Sequence, residues 1–507
     1  MKKQCIIFLI LIAYSVTFGQ STILLPNVNE TPRLNYSQIV ALPSPKVGSM
    51  VFDTNSNCLR IYNGLEWLCT FENSAQTAWK ITGGSSKSIV HSVSDAVGNL
   101  YVLGNFGGTV DFGGISLTSS SSADIFVLKY SKNNQLIWAN RIGNTNGGFA
   151  GKIAVSENGD VYVSGEYTGT LSLGTFILNP IGFQDIFIIK YNSNGSVLWA
   201  KNAGGSDSDW GGEGLVADHT GVYLTGGFSG TATFGSTILT SAGSFDMFLT
   251  KLDQNGVFLW AIKGGSSASD RGISLAKDEL GNIYVGGIYH ANASFGSFLV
   301  TNSGNSDGFI AKYSSNGTVL WVNRISGSIY DWINQIAIDN SGNVYAAGVI
   351  QSNTTFYSNT NNVTLNAMEA GGQFIAKYNT NGNLIWAKQP FISSTSDLIQ
   401  SLSIDKNNNI YTTGAFAGSF VFRGETYNGG ATSSFVTKMS SIGEIQWIKM
   451  SYGGTAGNFP SSITINHQGD AYVLGNFLGT STFGSVTLNY PIFGNGFDLY
   501  FWKIPKY

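Results

Sequence analysis

The sequence predicts an all-β protein, a seven-bladed β-propeller with four-stranded blades, and three observations support this prediction. One phrase recurs in seven copies, of which the last lacks its final part: a Gly-x-[Ile/Val]-Tyr strand, a Phe-Gly, a Phe-x-x-Lys strand and a Gly-x-x-x-Trp strand. The strand tyrosines are 61 residues apart at every step except 66 between Tyr345 and Tyr411. Such units of strands and Gly-rich turns bury their apolar faces only by packing radially against copies of themselves. The seven tyrosines are Tyr101, Tyr162, Tyr223, Tyr284, Tyr345, Tyr411 and Tyr472.

Each repeat divides into four predicted strands, which in the second copy span 152–156, 160–167, 186–191 and 197–202. The joints between strands one and two, and between strands three and four, begin with Asp, Asn or Ser and carry Gly three residues later. This spacing predicts type I turns whose Gly adopts a positive φ. We therefore expect these short turns on one face of the ring. The variable connections between strands two and three, and the crossings from blade to blade, lie on the other face, here called the crossing face.

The two ends of the repeat region are predicted to close the ring together. The seventh copy ends after its third strand, without a Gly-x-x-x-Trp segment. The missing segment matches residues 77–84, which no third strand precedes. We expect residues 77–82 to form the outer strand of the last blade against residues 498–504, with Trp79 in the place that Trp447 holds in the sixth blade.

The region before the ring predicts an exported protein. Residues 1–19 have the features of a secretory signal, with Lys2 and Lys3 ahead of an apolar run that is too short for a typical membrane span. An uncleaved anchor helix is the alternative. Residues 20–73 form a predicted small β module, and 74–507 form the propeller. No other segment has the character of a membrane-crossing helix, so we expect a secreted protein, whether extracellular, at the cell surface or periplasmic.

Two cysteines remain in the mature chain, and a disulfide between them is predicted. Asn63-Gly64 predicts a two-residue hairpin turn that pairs Tyr62 with Leu65 and, counting outward, Cys58 with Cys69. Directly opposed residues have Cα atoms within the range of a disulfide. A lone pair in an exported protein favours a disulfide over a metal site, which needs more ligands.

The repeat resembles the seven-bladed β-propeller repeat (SBBP) family of exported bacterial proteins. The matching segments are 281–287 (GNIYVGG), 307–313 (DGFIAKY) and 259–265 (LWAIKGG). The N-terminal module resembles one common in secreted Bacteroidetes proteins and in phage tail-fibre-like chains. The SBBP resemblance implies a secreted propeller and implies no particular activity, cofactor or catalytic set.

Composition and motifs exclude several functions. Only 11% of residues are charged and the net charge is −3, which leaves no basic footprint for nucleic acid. The Gly-x-x-x-Trp hairpin also resembles quinoprotein propellers, but the mature chain lacks their adjacent cysteines, so no cofactor is expected. The histidines have no metal-ligand spacing and no catalytic signature is present, so we predict neither a metal site nor catalytic residues. The histidines are His91, His219, His290 and His467.

Two further sets recur along the chain. Acids open most third strands and are interpreted as structural acceptors, whereas each third-strand Lys is interpreted as snorkelling, with its stem over apolar surface. The acids are Asp124, Asp185, Asp246, Asp307 and Asp498. The lysines are Lys129, Lys190, Lys251, Lys312, Lys377, Lys438 and Lys503.

The crossings from blade to blade are the predicted ligand site. Each of three crossings ends in an acid followed by a large side chain, and such pairs bind sugar when the aromatic face stacks and the carboxylate bonds hydroxyls. The alternative is that the acid caps the crossing and the aromatic ring wedges between blades. The candidate residues are Asp209, Trp210, Asp270, Arg271, Asp331 and Trp332.

Three functions remain open at this stage, because a propeller supports binding, scaffolding and catalysis alike. The first is a non-catalytic secreted propeller that binds a glycan or a protein on its crossing face. The second is a hydrolase or lyase acting on polysaccharide, which acids at the channel mouth in blades that break the repeat would favour. The third is a structural surface component.

Overall fold

The chain folds into two compact all-β units in a computed structural model. The first unit comprises Met1–Gln76 with Pro505–Tyr507, and the second comprises Thr77–Ile504. Most of the predicted secretory signal lies outside the described residues. Its described part, Ser15–Phe18, pairs with Ser21–Leu24 as a hairpin. The described residues are 15–18, 21–24, 32–34, 38–39, 41–53, 58–62, 67–72, 76–84, 86–366, 372–390, 398–422, 425–429, 432–453, 457–490 and 496–506.

The first unit contains a four-stranded sheet with a small core around Ile39 and Val51. Its strands, in sheet order, are Arg33–Leu34, Met50–Asp53, Cys58–Tyr62 and Trp67–Glu72.

The hairpin of this sheet has a different register from the one predicted. Tyr62 pairs with Trp67 rather than with Leu65. The first strand of the hairpin ends at Tyr62 and the second begins at Trp67, two residues later than predicted. Cys58 and Cys69 are therefore not directly opposed. The predicted register was wrong, and the disulfide stays a prediction without that geometric support.

The second unit is a propeller of seven blades, as the repeat predicted, and each blade has four antiparallel strands. The first strands contact one another in sequence around the ring and so surround its axis. The first strands are Ser86–Ser94, Gly148–Val155, Asp209–Asp218, Arg271–Lys277, Asp331–Ile338, Leu398–Ile404 and Asn458–Ile465. The second strands are Leu100–Gly107, Val161–Tyr167, Gly221–Phe228, Ile283–Tyr289, Val344–Ile350, Ile410–Phe416 and Ala471–Phe477. The third strands are Asp124–Tyr130, Asp185–Tyr191, Asp246–Asp253, Asp307–Tyr313, Gly372–Tyr378, Ser433–Met439 and Asp498–Ile504. The fourth strands are Leu136–Asn144, Val197–Gly205, Phe258–Gly265, Val319–Ser326, Leu384–Lys388, Ile445–Gly453 and Thr77–Ile81.

The ring closes as predicted, with Thr77–Ile81 paired against Asp498–Ile504 in the last blade. The expected place of Trp79 was wrong by two residues. In the sixth blade Trp447 lies opposite Lys438, whereas Trp79 lies opposite Phe501.

The short turns have the predicted geometry. In the turn from Ser156 to Gly159, the Gly159 N–H donates to the Ser156 carbonyl at 2.9 Å, and Gly159 has φ of 80°. Two asparagines, Asn134 and Asn408, occupy the equivalent position with φ of 62° each. Asparagine tolerates this left-handed conformation better than other non-glycine residues, so the turn survives the substitution.

A small hairpin from the connection between strands two and three covers the outer edge of the preceding blade. In the first blade, for example, the fourth strand pairs with Leu171–Leu173 from the second blade's hairpin. Five blades are extended in this way to six strands, and the first blade's hairpin reaches the last blade through a bridge between Val110 and Gly83. Pairing of the outer edge protects a strand that is otherwise open to other chains.

The recurring Tyr, Lys and Trp form one contact between neighbouring blades. Tyr162, Lys190 and Trp199 are cross-strand neighbours. Lys190 Nζ and Trp199 Nε1 both donate to the Gln254 carbonyl of the next blade, at 3.2 and 2.8 Å. Lys190 is only 5% exposed, so the interpretation of these lysines as snorkelling was wrong where they are buried. In three other blades the equivalent Lys and Trp also donate to one main-chain carbonyl of the next blade. These are Lys129 and Trp138 to Ser193, Lys312 and Trp321 to Thr380, and Lys377 and Trp386 to Ser441.

Candidate functional site

The predicted acids of the crossings are buried rather than presented to solvent. Asp209, Asp270 and Asp331 have no exposed surface. Asp209 accepts the Gly205 N–H at 2.7 Å, and Asp270 accepts the Ser266 N–H at 2.5 Å, so each of these two carboxylates holds the main chain of its crossing. Direct contact of the three acids with a ligand stays a prediction.

The larger side chains that follow these acids are partly exposed. Trp210 stacks on Phe245, with ring centroids 4.1 Å apart. The guanidinium of Arg271 lies 4.9 Å from the Trp210 ring centroid, so Phe245 and Arg271 both contact this indole. Trp332 begins the fifth blade in the equivalent position and is half-buried. The structure therefore brings Trp210 and Arg271 together, whereas Trp332 belongs to the next crossing.

One position of the inner strands departs from the repeat in three blades. The residue ten positions before the strand tyrosine is Ser274, Gln335, Ser401 or Ser462 in the last four blades. Each of these side chains accepts a main-chain N–H from the following blade, at 3.0 to 3.1 Å. In the first three blades the same position holds His91, Lys152 and Glu213.

These departures belong to a cluster of charged and polar side chains that also includes Glu166, Gln184 and Arg271 and whose members act on one another electrostatically or by hydrogen bonds. Arg271 Nη1 forms an ion pair with Glu213 Oε1 at 3.0 Å, and these side chains are 30% and 24% exposed. Gln184 donates a short hydrogen bond to Glu166. Arg271 joins this cluster to the aromatic pair of Trp210 and Phe245. We call these six residues the channel cluster: His91, Lys152, Glu166, Gln184, Glu213 and Arg271.

Burial and mutual charge shift the pKa values within the channel cluster. Burial and, to a smaller extent, the neighbouring Glu213 carboxylate raise the pKa of Glu166 to about 8 against the opposing effects of Gln184 and Arg271. Burial lowers the pKa of Lys152 to about 8. The pKa of His91 is lowered well below its usual range by burial and by Lys152. At pH 7 Glu166 is therefore a neutral acid and His91 a neutral imidazole. Perturbed groups of this kind concentrate at functional sites.

Several exposed aromatic side chains lie at the starts of first strands and in the connections of the crossing face. Phe149 and Phe183 of the second blade are 59% and 73% exposed. In the seventh blade Phe459 and Phe497 contact each other edge to face at 5.7 Å. Tyr330 is also exposed. Exposed apolar groups around a polar centre are typical of ligand-binding surfaces.

Trp210 and Arg271 were predicted from the sequence, whereas Glu166, Glu213 and Lys152 were not. The available signal was the aligned position ten residues before each strand tyrosine, where small polar residues give way to charges in consecutive blades. The acids that open the third strands are buried acceptors, as interpreted: Asp124, for example, accepts the Ser120 N–H at 2.7 Å.

The described ranges contain neither a metal-binding cluster of side chains nor a membrane-spanning helix. No three or more His, Cys, Asp or Glu side chains there are arranged to hold a metal ion. No helix in the same ranges is long and apolar enough to span a membrane.

The fold and the channel cluster define a seven-bladed β-propeller with an asymmetric polar centre. No protein-family model matches the chain. Among curated proteins, it is 28% identical over 253 residues to an uncharacterized WD repeat-containing protein, L264, from Acanthamoeba polyphaga mimivirus, over 43% of this chain and 18% of that protein. It is 24% identical over 200 residues to the regulatory protein FlaEY of Caulobacter vibrioides, over 38% of this chain and 21% of that protein. The matches thus span about a fifth of each curated relative.

Solved structures show a more distant likeness. A Bacteroides caccae protein of unknown function has 10% identity and a TM-score of 0.35, over 72% of this chain and 94% of that one. A gluconolactonase from Xanthomonas campestris has 11% identity and a TM-score of 0.33, over 73% of this chain and 91% of that one. YCF48 bound to a D1 peptide has 9% identity and a TM-score of 0.38, over 86% and 97%.

Proposed function

We propose that the protein binds carbohydrate at the channel cluster and at the exposed aromatic rings of its crossing face. The observation that carries this proposal is the loss of the repeated Ser or Gln at the inner strands of the first three blades, where His91, Lys152 and Glu213 stand instead. In the other four blades the Ser or Gln at this position makes a contact between blades. Contacts that hold the ring together therefore do not require His, Lys or Glu here. Residues that depart from the repeat are free to serve a ligand.

The chemistry of the site suits a sugar. Carboxylate, amide and guanidinium groups hydrogen-bond to hydroxyls, and Glu213 has an Oε2 atom with no partner among the described residues. Aromatic rings such as Phe149 and Phe459 offer flat apolar surfaces for the carbon faces of a sugar ring. The ring of Trp210 is in contact with Phe245 and Arg271. Trp210 therefore offers only the edge of its ring to a sugar, and it also holds Arg271 in position.

A glycan array probed with the purified chain tests this proposal, followed by calorimetric titration of the best glycan. We expect Trp332→Ala and Phe459→Ala each to weaken binding about tenfold, because a lost aromatic contact is worth about 1.4 kcal/mol. Arg271→Ala should weaken binding further, because it releases Glu213 and removes the cover of Trp210.

Leu280→Ala is the matched control, because Leu280 is 85% exposed in a short turn on the opposite face. It should leave affinity unchanged. Circular dichroism and thermal melting of each variant separate lost binding from lost folding. An array without bound glycan, or folded variants of Trp332, Phe459 and Arg271 that bind as well as the wild type, would contradict carbohydrate binding.

A second candidate function is acid–base catalysis on a polysaccharide, and the pair of Glu166 and Glu213 favours it. Both acids come from blades that break the repeat, and burial keeps Glu166 protonated near neutral pH. A neutral carboxylic acid is the group that a glycosidic leaving oxygen needs as proton donor, with a second carboxylate nearby.

Release of reducing ends or of unsaturated products from a panel of polysaccharides tests this second candidate. The rate should fall as the pH rises through about 8, the pKa of Glu166, because the donor form is lost. Glu166→Gln should abolish turnover while the array signal remains. Binding without turnover in the wild type would leave the first function alone.

We further propose that the chain is an exported member of the SBBP repeat family. The seven-fold repeat and the charged start before an apolar run at the N-terminus support this. Fractionation of the source cells, with N-terminal sequencing, should find the protein outside the cytoplasm beginning at Gln20. A free-thiol assay on that material tests the predicted disulfide, and two reactive thiols on Cys58 and Cys69 would reject it.

A further inference from the structure

Pairs of buried carboxylates recur where neighbouring blades meet on the crossing face. The acid that opens the third strand of one blade faces the acid that opens the first strand of the next. Both members of each pair are at most 1% exposed. The pairs are Asp185 with Asp209, Asp246 with Asp270, and Asp307 with Asp331.

The two carboxylates of the first pair converge on one point. A Cβ atom built on Gly204 would overlap Asp185 Oδ1 and lie 2.8 Å from Asp209 Oδ2. A Cβ on the equivalent Gly265 would lie 2.8 Å from Asp246 Oδ1 and 2.9 Å from Asp270 Oδ2. Glycine at these positions therefore lets two carboxylate oxygens approach the same point of the main chain.

The inward oxygen of each third-strand acid in these pairs has no partner among the described residues. This holds for Asp185 Oδ1, Asp246 Oδ1 and Asp307 Oδ1, all of them buried. The outer oxygen is bonded: Asp185 Oδ2 accepts the Gly182 N–H at 3.0 Å, and Asp246 Oδ2 accepts the Ala242 N–H at 2.9 Å. A buried acceptor that stays unbonded is costly, so these oxygens are expected to have a ligand.

The junction of the last and first blades shows which kind of group can neutralise the third-strand acid. There the first-strand position carries Lys87 instead of an acid, and Lys87 Nζ lies 2.7 Å from Asp498 Oδ1. Both side chains are almost fully buried, at 2% and 1% exposure. At the junction of the first and second blades the partner position is Gly148, and Asp124 Oδ1 accepts the Asn144 N–H at 3.2 Å. The equivalent oxygen is thus satisfied in both junctions that lack the second acid.

The first pair has no cation beside it among the described residues. Asp246 forms an ion pair with Lys263 at 3.1 Å, and the Arg324 charge opposes the burial that raises the pKa of Asp307, whereas no Lys or Arg acts on Asp185 or Asp209 in the described part of the chain. Two buried carboxylates that converge without a cation are strongly unfavourable.

We propose that Asp185 and Asp209 bind a divalent cation of the calcium type between the second and third blades. Calcium takes six to eight oxygen ligands in flexible geometry, so main-chain carbonyls of the crossing and water complete a site that has two carboxylates. The ion takes the role that the Lys87 ammonium has at the ring closure. It fixes the crossing that precedes Trp210, and it does not depend on the proposed carbohydrate binding.

The test is a count of bound ions on the full chain. Protein freed of metal with EGTA is dialysed against calcium or magnesium, and bound metal is measured by mass spectrometry. We expect Asp209→Lys, which copies the Lys87 arrangement, to fold and to bind one calcium ion fewer per chain than the wild type. Calcium should raise the melting temperature of the wild type more than that of the variant.

Asp207→Asn is the matched control, because Asp207 is an exposed carboxylate in the same crossing, and it should bind as many ions as the wild type. If Asp209→Lys does not fold, Asp209→Asn serves in its place with the same expectation. Equal calcium counts in the wild type and the folded variant would overturn the proposal. So would a wild type that ignores calcium and gains stability as the pH falls from 7 to 5, because that result indicates a proton shared between the two acids.

Discussion

The indole ring of Trp79 stacks on the ring of Phe501, with centroids 5.2 Å apart and planes inclined by 16°. These residues belong to the two ends of the propeller, and their contact covers the third strand of the last blade. Tyr130 of the first blade meets the same Phe501 ring edge to face at 5.5 Å. The closing strand therefore packs beside the first blade as well as completing the last one.

Removal of the closing strand should open the ring. We expect a chain without residues 1–84 to be insoluble or to dimerise, because its last third strand exposes an apolar edge. A chain without residues 1–76 keeps Thr77–Ile81 and is the matched control, which should remain monomeric. Light scattering with size-exclusion chromatography distinguishes the two, and a stable monomer from the shorter chain would contradict the role of this strand.

Loss of the buried ammonium at the closure should destabilise the propeller. Lys87→Met removes the 2.7 Å ion pair and leaves the buried Asp498 only the longer contact, 3.4 Å, with the partly exposed Lys80. Breaking a buried pair costs up to about 3–5 kcal/mol of unfolding free energy, so we expect a loss below that limit. The double variant Lys87→Met with Asp498→Asn should recover most of this loss. Lys132→Ala, at an exposed turn residue, should change stability by about 0.5 kcal/mol or less. Denaturant unfolding curves measure all three, and equal midpoints for the wild type and Lys87→Met would refute the argument.

The tryptophan contact between blades should have a polar and an apolar component. Trp199→Phe removes the 2.8 Å bond from Nε1 to the Gln254 carbonyl and should cost about 1 kcal/mol of unfolding free energy. Trp199→Ala also removes packed surface and should cost about 3–5 kcal/mol. Trp260→Phe is the control, since the structure shows no Nε1 hydrogen bond for Trp260 within the described ring. A Trp260→Phe variant as destabilised as Trp199→Phe would argue against the hydrogen bond.

The raised pKa of Glu166 predicts a pH dependence of stability. The folded-state pKa of about 8 lies above that of the unfolded chain, so Glu166 destabilises the folded protein progressively as the pH rises towards 8. Glu166→Gln imitates the neutral acid. It should match the wild type at pH 5 and exceed it by about 2 kcal/mol at pH 9, after allowance for channel water.

Glu157→Gln is the control for this comparison, because Glu157 is an exposed turn residue of the same blade. Its stability difference from the wild type should stay constant between pH 5 and pH 9. Denaturant unfolding at the two pH values provides the measurement. A Glu166→Gln variant that tracks the wild type at both pH values would show that Glu166 is ionised throughout.

Sequence reasoning predicted the features that the repeat itself encodes. Turn residues such as Ser156 and Gly159 act locally, so their spacing was enough to predict the geometry. The place of Trp79 could not be predicted in the same way, because no local turn joins Thr77–Ile81 to its partner strand and packing on Phe501 sets the register. The strand pairing expected around Asn63-Gly64 was also wrong, because Tyr62 pairs with Trp67 and the register shifts between Leu59 and Arg60.

The channel cluster was beyond sequence reasoning because its members come from different blades. Glu166 is a second-strand residue, whereas Glu213 and Arg271 begin or continue first strands, and only the ring brings them together. The buried pair of Asp185 and Asp209 is similar. Each acid was seen in its own repeat, but their separation of 24 positions in the sequence concealed the contact across two blades.

The outer hairpins place the sequence repeat and the blade out of phase. A hairpin encoded in one repeat, such as Thr231–Phe234 with Thr237–Thr240, completes the sheet of the blade before it. Each repeat therefore supplies the hairpin that pairs with the outer strand of the preceding blade. The outer strand of its own blade is paired by the hairpin of the following repeat. A ring built in this way can gain or lose whole copies during gene duplication without adding a bare edge. The number of blades is then limited by how the inner strands meet at the axis, and not by how the rim is sealed.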